Sequence, residues 1–186
     1  TDLFRHPEKV RDLCSQILDI WHICYEELYR ILKGESRGNS AWMGLWASRK
    51  WYPIQCDFSA MLSPKLFEEF ALPFIKEQCL RLDNTIYHLD GPGEIPHLNM
   101  LLDIPELSGI QWVPGAGNEP VESPNWFPLY KKVQESGKLL VVQGVSKENV
   151  EPLLRKLKLK GLLVSTYCST EEEARDLLSR VRSRPK

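Results

Sequence analysis

The sequence predicts an α/β protein in which helices cover a parallel sheet. Short apolar runs of strand length recur along the chain, and segments of helical periodicity lie between them. Near-continuous apolar runs are typical of strands that are buried on both faces, as parallel strands are in α/β proteins. The regular alternation of such runs with amphipathic helices therefore predicts a parallel sheet flanked by helices.

The elements follow one another in a regular order along the chain. The first is a helix over about 10–32, in which apolar residues recur at helical spacing: Val10, Leu13, Ile17, Trp21, Cys24, Leu28 and Ile31. Gly34 is predicted to end this helix. The predicted strands are 51–58, 85–90, 109–114, 139–145 and 161–168. The predicted later helices are 64–82, 94–103, 124–136, 147–157 and 170–182.

Capping residues support two of these helices. Ser63 is a good N-cap and Pro64 suits the first helical position, where its missing N–H costs nothing. Pro73 predicts a bend within the same helix. Thr170 and Glu173 have the spacing of a capping box at the start of the last helix.

The periodicity leaves two architectures open. Five strand–helix units could close an open, doubly wound sheet, or they could be part of a (β/α)8 barrel. A barrel needs eight strands and typically about 250 residues. At 186 residues the chain suits a single domain over 1–186 that buries a substantial core.

Composition excludes several classes of protein. The formal net charge is −1, so no basic excess indicates binding to nucleic acid. No apolar run approaches the roughly 20 residues that cross a bilayer, and the sequence contains no signal-peptide pattern, so we expect no membrane partner. The five cysteines contain no Cys-x-x-Cys pair, which argues against a disulfide framework. The chain is expected to be cytoplasmic.

Three segments carry a family resemblance. They are "LSPKLFEEFALPFIKE" at 62–77, "YHLDGPG" at 87–93 and "IQWVPG" at 110–115. With the residues around them, from about Trp42 to the last helix, they resemble the uroporphyrinogen decarboxylase superfamily. The resemblance implies a (β/α)8 barrel, of which this chain would be the C-terminal part, without the first strands.

That superfamily implies two activities. One branch decarboxylates the acetate side chains of a cyclic tetrapyrrole in porphyrin biosynthesis. The other contains zinc-dependent methyltransferases that move a methyl group to or from the cobalt of a corrinoid. The segment "YHLDGPG" is closer to the methyltransferase-like branch. This resemblance implies zinc, a small methylated substrate, and a corrinoid carried by a partner protein.

The candidate metal ligands are His88, Asp90 and Cys168. His88 and Asp90 are two apart on a predicted strand, so their side chains share a face at its C-terminal end. The resemblance implies a His-x-Cys pair and a later Cys as ligands, with Asp90 here at the position of the first Cys. Imidazole, carboxylate and thiolate would leave a fourth zinc position open, as in catalytic sites. Asp57, at another strand end, is predicted to orient the substrate.

A structural reading of these residues stays open beside the functional one. A strand-end histidine is often only hydrogen-bonded, Asp before Gly-Pro is ordinary turn chemistry, and Cys168 could be a small apolar residue. Nearby, Tyr87 is predicted to face the core, and His97 to lie near the site or at the surface. Trp42 is predicted to pack in the core or to form part of an aromatic lid, and Cys24 to pack within its helix.

Two other functions remain as alternatives. A decarboxylase needs an Arg-rich segment that this chain lacks and a Gly-His-Gly turn, where "STYCSTEEEA" at 165–174 contains no histidine. The chain could also be a non-catalytic binding module or an inactive fragment. As part of a barrel it would expose sheet edges, which favour self-association. We expect this fragment alone to be inactive.

Overall fold

The computed structural model describes residues 2–183, and within them five parallel strands form a sheet flanked by helices. The α/β prediction is confirmed, and each predicted strand is present. A short antiparallel hairpin, β1 (Asn39–Ser40) and β2 (Trp46–Ala47), precedes them. The parallel strands, in chain order, are β3 (Trp51–Gln55), β4 (Asn84–Asp90), β5 (Gly109–Val113), β6 (Leu139–Val145) and β7 (Leu162–Thr166).

The helices agree with the predicted order but differ in detail. They are α1 (Asp2–Arg5), α2 (Pro7–Ser36), α3 (Pro64–Phe70), α4 (Leu72–Arg81), α5 (Leu98–Leu102), α6 (Phe127–Glu135), α7 (Val150–Leu154) and α8 (Glu171–Arg182). The helix predicted over 64–82 is divided at Ala71, beside the predicted bend at Pro73. Ser63 accepts a hydrogen bond from the N–H of Leu66, as predicted for its cap.

The prediction that Gly34 ends the first long helix is wrong. Helix α2 continues to Ser36 and ends at Arg37, which has the left-handed backbone conformation with φ 56°. A glycine in a helix costs only about 1 kcal/mol relative to alanine, so a long helix with tertiary contacts passes through it. The left-handed residue that follows then turns the chain.

The chain groups into two compact units, Thr1–Ser108 and Gly109–Lys186. Unit 1 contains α1 to α5, the hairpin and the parallel pair β3–β4. Unit 2 contains β5 to β7 and the remaining helices. The single-domain assignment of 1–186 stays a prediction, and each unit is described by itself.

In unit 1, strands β3 and β4 pair in register from Trp51 opposite Asn84 to Gln55 opposite His88. Ile54, Tyr87 and Leu89 lie on the buried face of this pair. Because side chains alternate along a strand, the opposite face presents its polar residues at the C-terminal ends.

Helix α2 packs against the rest of unit 1 through aromatic residues. His22, Tyr25 and Tyr29 are its buried residues, and the Tyr25 hydroxyl donates a hydrogen bond to the carbonyl of Trp51 at 3.1 Å. The apolar residues that define the sequence period lie mostly on another face and are exposed. Cys24 is exposed as well, so the prediction that it packs within the fold is wrong.

In unit 2, β6 pairs with β5 and β7, and all three strands are parallel. The register between β6 and β7 shifts between Val142 and Val145, where Gly144 has a φ of 79°. This conformation favours glycine and allows the bulge. Trp112, Tyr130 and Leu140 are fully buried in the core of this unit.

Candidate functional site

The C-terminal end of β4 presents His88 and Asp90 on one face. Both are half-buried, whereas Tyr87 and Leu89 beside them are fully buried. This alternation confirms the predictions that His88 and Asp90 share a face and that Tyr87 points into the core. An imidazole and a carboxylate therefore lie side by side at a strand end, with part of each surface accessible.

The neighbouring strand end brings Asp57 to the same edge of unit 1. Gln55 of β3 is the register partner of His88, and adjacent strands are about 4.8 Å apart. The Gln55 amide donates to both carboxylate oxygens of Asp57 at 3.2 Å. Asp57 is exposed at the start of a 3-10 helix over 57–61. Three of the predicted site residues, Asp57, His88 and Asp90, thus lie on adjoining strand ends.

Trp42 covers the imidazole from the loop within the hairpin. The two ring centroids are 5.1 Å apart and the planes meet at 87°, an edge-to-face arrangement. Trp42 is itself 53% exposed, so it is a surface aromatic residue and not a core residue. The indole limits the approach of water and ligands to one side of His88.

Glu94 is a site residue that the sequence predictions missed. It lies in a 3-10 helix over 92–97 and is completely buried, and its Oε2 accepts the backbone N–H of Asp90 at 3.3 Å. Burial is the main cause that raises the pKa of Glu94 to about 7, and the nearby carboxylates of Asp57 and Asp90 contribute to this increase. The spacing Asp-Gly-Pro-Gly-Glu could have indicated an acid that folds back onto the turn.

Several buried polar atoms near this glutamate make no well-formed hydrogen bond among residues 2–183, although the Ser59 and Tyr87 hydroxyls lie in weak contact with the Glu94 carboxylate. They are Ser59 Oγ, Tyr87 Oη, Glu94 Oε1 and His97 Nδ1. Unpaired buried polar groups are rare in native structures, so several around one turn are unusual. They mark an enclosed polar environment next to the strand ends.

His97 closes one side of this environment and is not a surface residue. Its ring is fully buried and stacks on Phe67 with centroids 4.2 Å apart, and Nε2 donates to the carbonyl of Ser59 at 2.9 Å. The surface position that the sequence allowed for His97 is therefore wrong. Its contacts give it a structural role in holding the 3-10 helix over 57–61 against α3.

Cys56 lies between Gln55, the last residue of β3, and the candidate residue Asp57. Burial raises the pKa of its thiol to about 11, and the charge of Glu94 contributes. Because thiolate is the reactive and metal-binding form, Cys56 is protonated at neutral pH and is a poor ligand or nucleophile.

Cys168 belongs to unit 2 and follows β7. Its half-buried side chain lines a cavity of about 160 Å³ together with Lys147, Glu173 and Arg180. The Lys147 ammonium forms an ion pair with Glu173 at 2.9 Å, and this hydrogen bond raises the pKa of Lys147. The role of Cys168 as a metal ligand stays a prediction.

The donor types at the end of β4 fit a zinc ion, since His and Asp are both common ligands. In the part of the chain that the structure describes, no group of three or more His, Cys, Asp or Glu side chains is arranged to hold a metal. A third ligand is therefore needed to complete the set begun by His88 and Asp90.

Among the described helices, none has both the length and the apolar character needed to cross a bilayer. Comparison with known proteins finds no matching family model, no similar curated protein and no similar solved structure. Membership of the uroporphyrinogen decarboxylase superfamily thus stays a prediction from the sequence.

Proposed function

We propose that the chain carries the principal site of a zinc-dependent methyltransferase that moves a methyl group between a small methylated compound and a corrinoid on a partner protein. His88, Asp90 and Cys168 are the proposed metal ligands, and Asp57 orients the substrate. The proposal includes the fold prediction that the parallel strands are the C-terminal part of a (β/α)8 barrel in a cytoplasmic protein.

One observation carries the proposal. His88 and Asp90 lie on the same face at the C-terminal end of a parallel strand, and Asp57 lies on the adjoining strand end. Enzymes with parallel sheets place their chemistry at this end of the strands. Two zinc-ligand types beside a carboxylate that is free to contact a substrate support a catalytic use of this edge.

A bound zinc would act as a Lewis acid that polarises the atom carrying the methyl group. Other residues of the chain hold the proposed zinc ligands and the substrate-binding carboxylate in place. The Glu94 carboxylate holds the backbone of Asp90 through its N–H, Gln55 holds the Asp57 carboxylate, and Trp42 shields one side of His88. These contacts restrict the side chains that bind substrate and metal to a narrow range of positions.

Metal analysis tests this proposal directly. We expect the protein, purified without chelators, to contain about one zinc per chain, and we expect H88A, D90A and C168A each to lower zinc affinity at least tenfold. Cobalt substitution adds a spectroscopic readout, because a thiolate ligand gives a charge-transfer absorption that C168A should abolish. The matched controls are H6A and C24A, which remove an exposed histidine and an exposed cysteine elsewhere.

Methyl transfer to cob(I)alamin is then measured for the full-length protein and for its D57A variant, since the fragment alone is expected to be inactive. We expect D57A to raise KM for the methylated compound and to leave the zinc content unchanged, because Asp57 contacts substrate only. Equal zinc content in the wild type and H88A would contradict the metal site. Zinc-free protein that decarboxylates a tetrapyrrole would establish the decarboxylase alternative instead.

A further inference from the structure

Helix α2 has a long apolar surface that does not pack against the rest of unit 1. We call it the α2 stripe, and its members are Leu13, Ile17, Ile20, Ile23, Cys24, Leu28 and Ile31. The large members are 46–65% exposed. The helix has 30 residues and is therefore about 45 Å long, whereas a typical helix of a globular protein has about 11–12 residues.

The α2 stripe follows the seven-residue repeat of a coiled coil. The first apolar position of each heptad is filled by Val10, Ile17, Cys24 and Ile31. The second is filled by Leu13, Ile20 and Glu27. Repeats of alternating three and four residues keep one seam of a helix facing a partner helix along its whole length. The face that contacts unit 1, with Tyr25 and Tyr29, lies outside this seam.

The exposed area is sufficient for a stable dimer. At roughly 100 Å² for each of the six large side chains, with Cys24 in addition, the α2 stripe offers about 700 Å² per chain, close to the 800 Å² per partner of a standard interface. A continuous apolar patch above a few hundred Å² is uncommon on monomers and marks an interaction surface.

The charges on α2 select the direction of a partner helix. Glu27 occupies a seam position and is paired with Arg30 on its own helix at 2.5 Å. In a parallel pair, Glu27 would face the same carboxylate of the partner, and like charges directly opposite each other are destabilising. In an antiparallel pair with Ile17 opposite Glu27, the two carboxylates are ten residues apart along the axis, or about 15 Å.

We propose that a second copy of this chain packs antiparallel along the α2 stripe and forms a two-fold symmetric dimer. In this register Ile20 of each chain lies beside the partner's Cys24, and Ile23 lies next to the partner's Ile23. Arg30 lies opposite the partner's Gln16. The pairing is self-complementary, as a two-fold interface requires. It does not depend on the proposed methyltransferase site.

Sedimentation equilibrium under reducing conditions tests the dimer. We expect the wild type to sediment with twice the chain mass at micromolar concentration. I23E places two carboxylates against each other at the two-fold axis, so its dissociation constant should rise at least a hundredfold. The control is L80E, which introduces the same charge at an equally exposed leucine of α4 and should leave the dimer intact. Circular dichroism confirms that both variants are folded.

Disulfide crosslinking tests the direction. I20C, under mild oxidation, should form a covalent dimer with the partner's Cys24, and the added substitution C24A should abolish this product. A monomeric wild type would overturn the proposal, as would a dimer that I23E does not weaken. A covalent dimer of I20C that persists with C24A would require a parallel arrangement and would also overturn it.

Discussion

Glu94 in unit 1 and Glu122 in unit 2 are both glutamates in turns beside the ends of parallel strands, but their surroundings differ. Glu122 is half-buried and accepts hydrogen bonds from the backbone N–H and hydroxyl of Ser146 and from the amide of Asn149. Glu94 is completely buried and accepts one long bond from the N–H of Asp90 and a weak contact from the Ser59 hydroxyl.

The two pKa values move in opposite directions for this reason. Burial would raise the pKa of Glu122, but the hydrogen bonds from Ser146 and Asn149 outweigh it and lower the pKa. Burial dominates at Glu94 and raises its pKa to about 7. The Glu122 carboxylate joins two turns of unit 2 as a fixed anion. The Glu94 carboxylate can hold or release a proton near neutral pH. A carboxylate beside a strand end is thus a candidate for proton transfer near neutral pH only where few hydrogen-bond donors contact it.

The largest expected effect comes from removing the aromatic ring that stacks on His97. Phe67 is fully buried and stacks on His97, so F67A should lower the free energy of unfolding by about 3–4 kcal/mol. Urea denaturation measures this loss of stability. F58A, at an exposed phenylalanine, is the control and should change stability by less than about 1 kcal/mol.

The second largest expected effect is the pH dependence that Glu94 confers on the free energy of unfolding of the metal-free protein. Its folded pKa lies above the unfolded value near 4.5, so the stabilisation is complete below that value. It is lost as the pH rises towards 7. The loss should be roughly 2–3 kcal/mol, and E94Q should remove most of it. Urea denaturation between pH 4.5 and pH 8, with chelator present, measures the difference. A wild type and E94Q with parallel profiles would contradict a buried proton.

Glu122 should show a smaller effect of the opposite sign. Its pKa is lowered in the folded state, so its stabilisation is present above the unfolded pKa and is lost as the pH falls through the folded one. E122Q should therefore cost about 1 kcal/mol at pH 7 and less at pH 3.5. Urea denaturation of the wild type and E122Q at pH 7 and at pH 3.5 measures it. A cost for E122Q that grows at low pH would contradict this assignment.

The prediction of the fold succeeded where local signals and tertiary packing agree. Apolar runs such as 139–145 have few alternatives to a buried strand, and Ser63 and Thr170 cap their helices through contacts with residues three positions later. Gly34 failed as a stop signal because the penalty of one glycine is small, and α2 continues through it for two further residues.

The candidate site was likewise predictable where local spacing alone decides the arrangement of its residues. The spacing of His88 and Asp90 determines that they share a face, since side chains alternate along any strand. Glu94 was missed because its properties depend on what excludes water from it. Ser59 and Tyr87, which contact Glu94, come from other elements of the chain, and no local pattern records their convergence.

The sequence by itself determined the order of strands and helices, the caps, and the orientation of residues within each element, because these depend on neighbours within a few positions. The tertiary structure alone decided which face of α2 is buried and which glutamate can hold a proton. The apolar period of α2 did not indicate this choice, yet a hydrogen bond to the Trp51 carbonyl and a ring contact with Tyr52 bury Tyr25, while Ile20 stays exposed. Burial and electrostatic environment arise from residues far apart in the chain, so only the folded structure sets them.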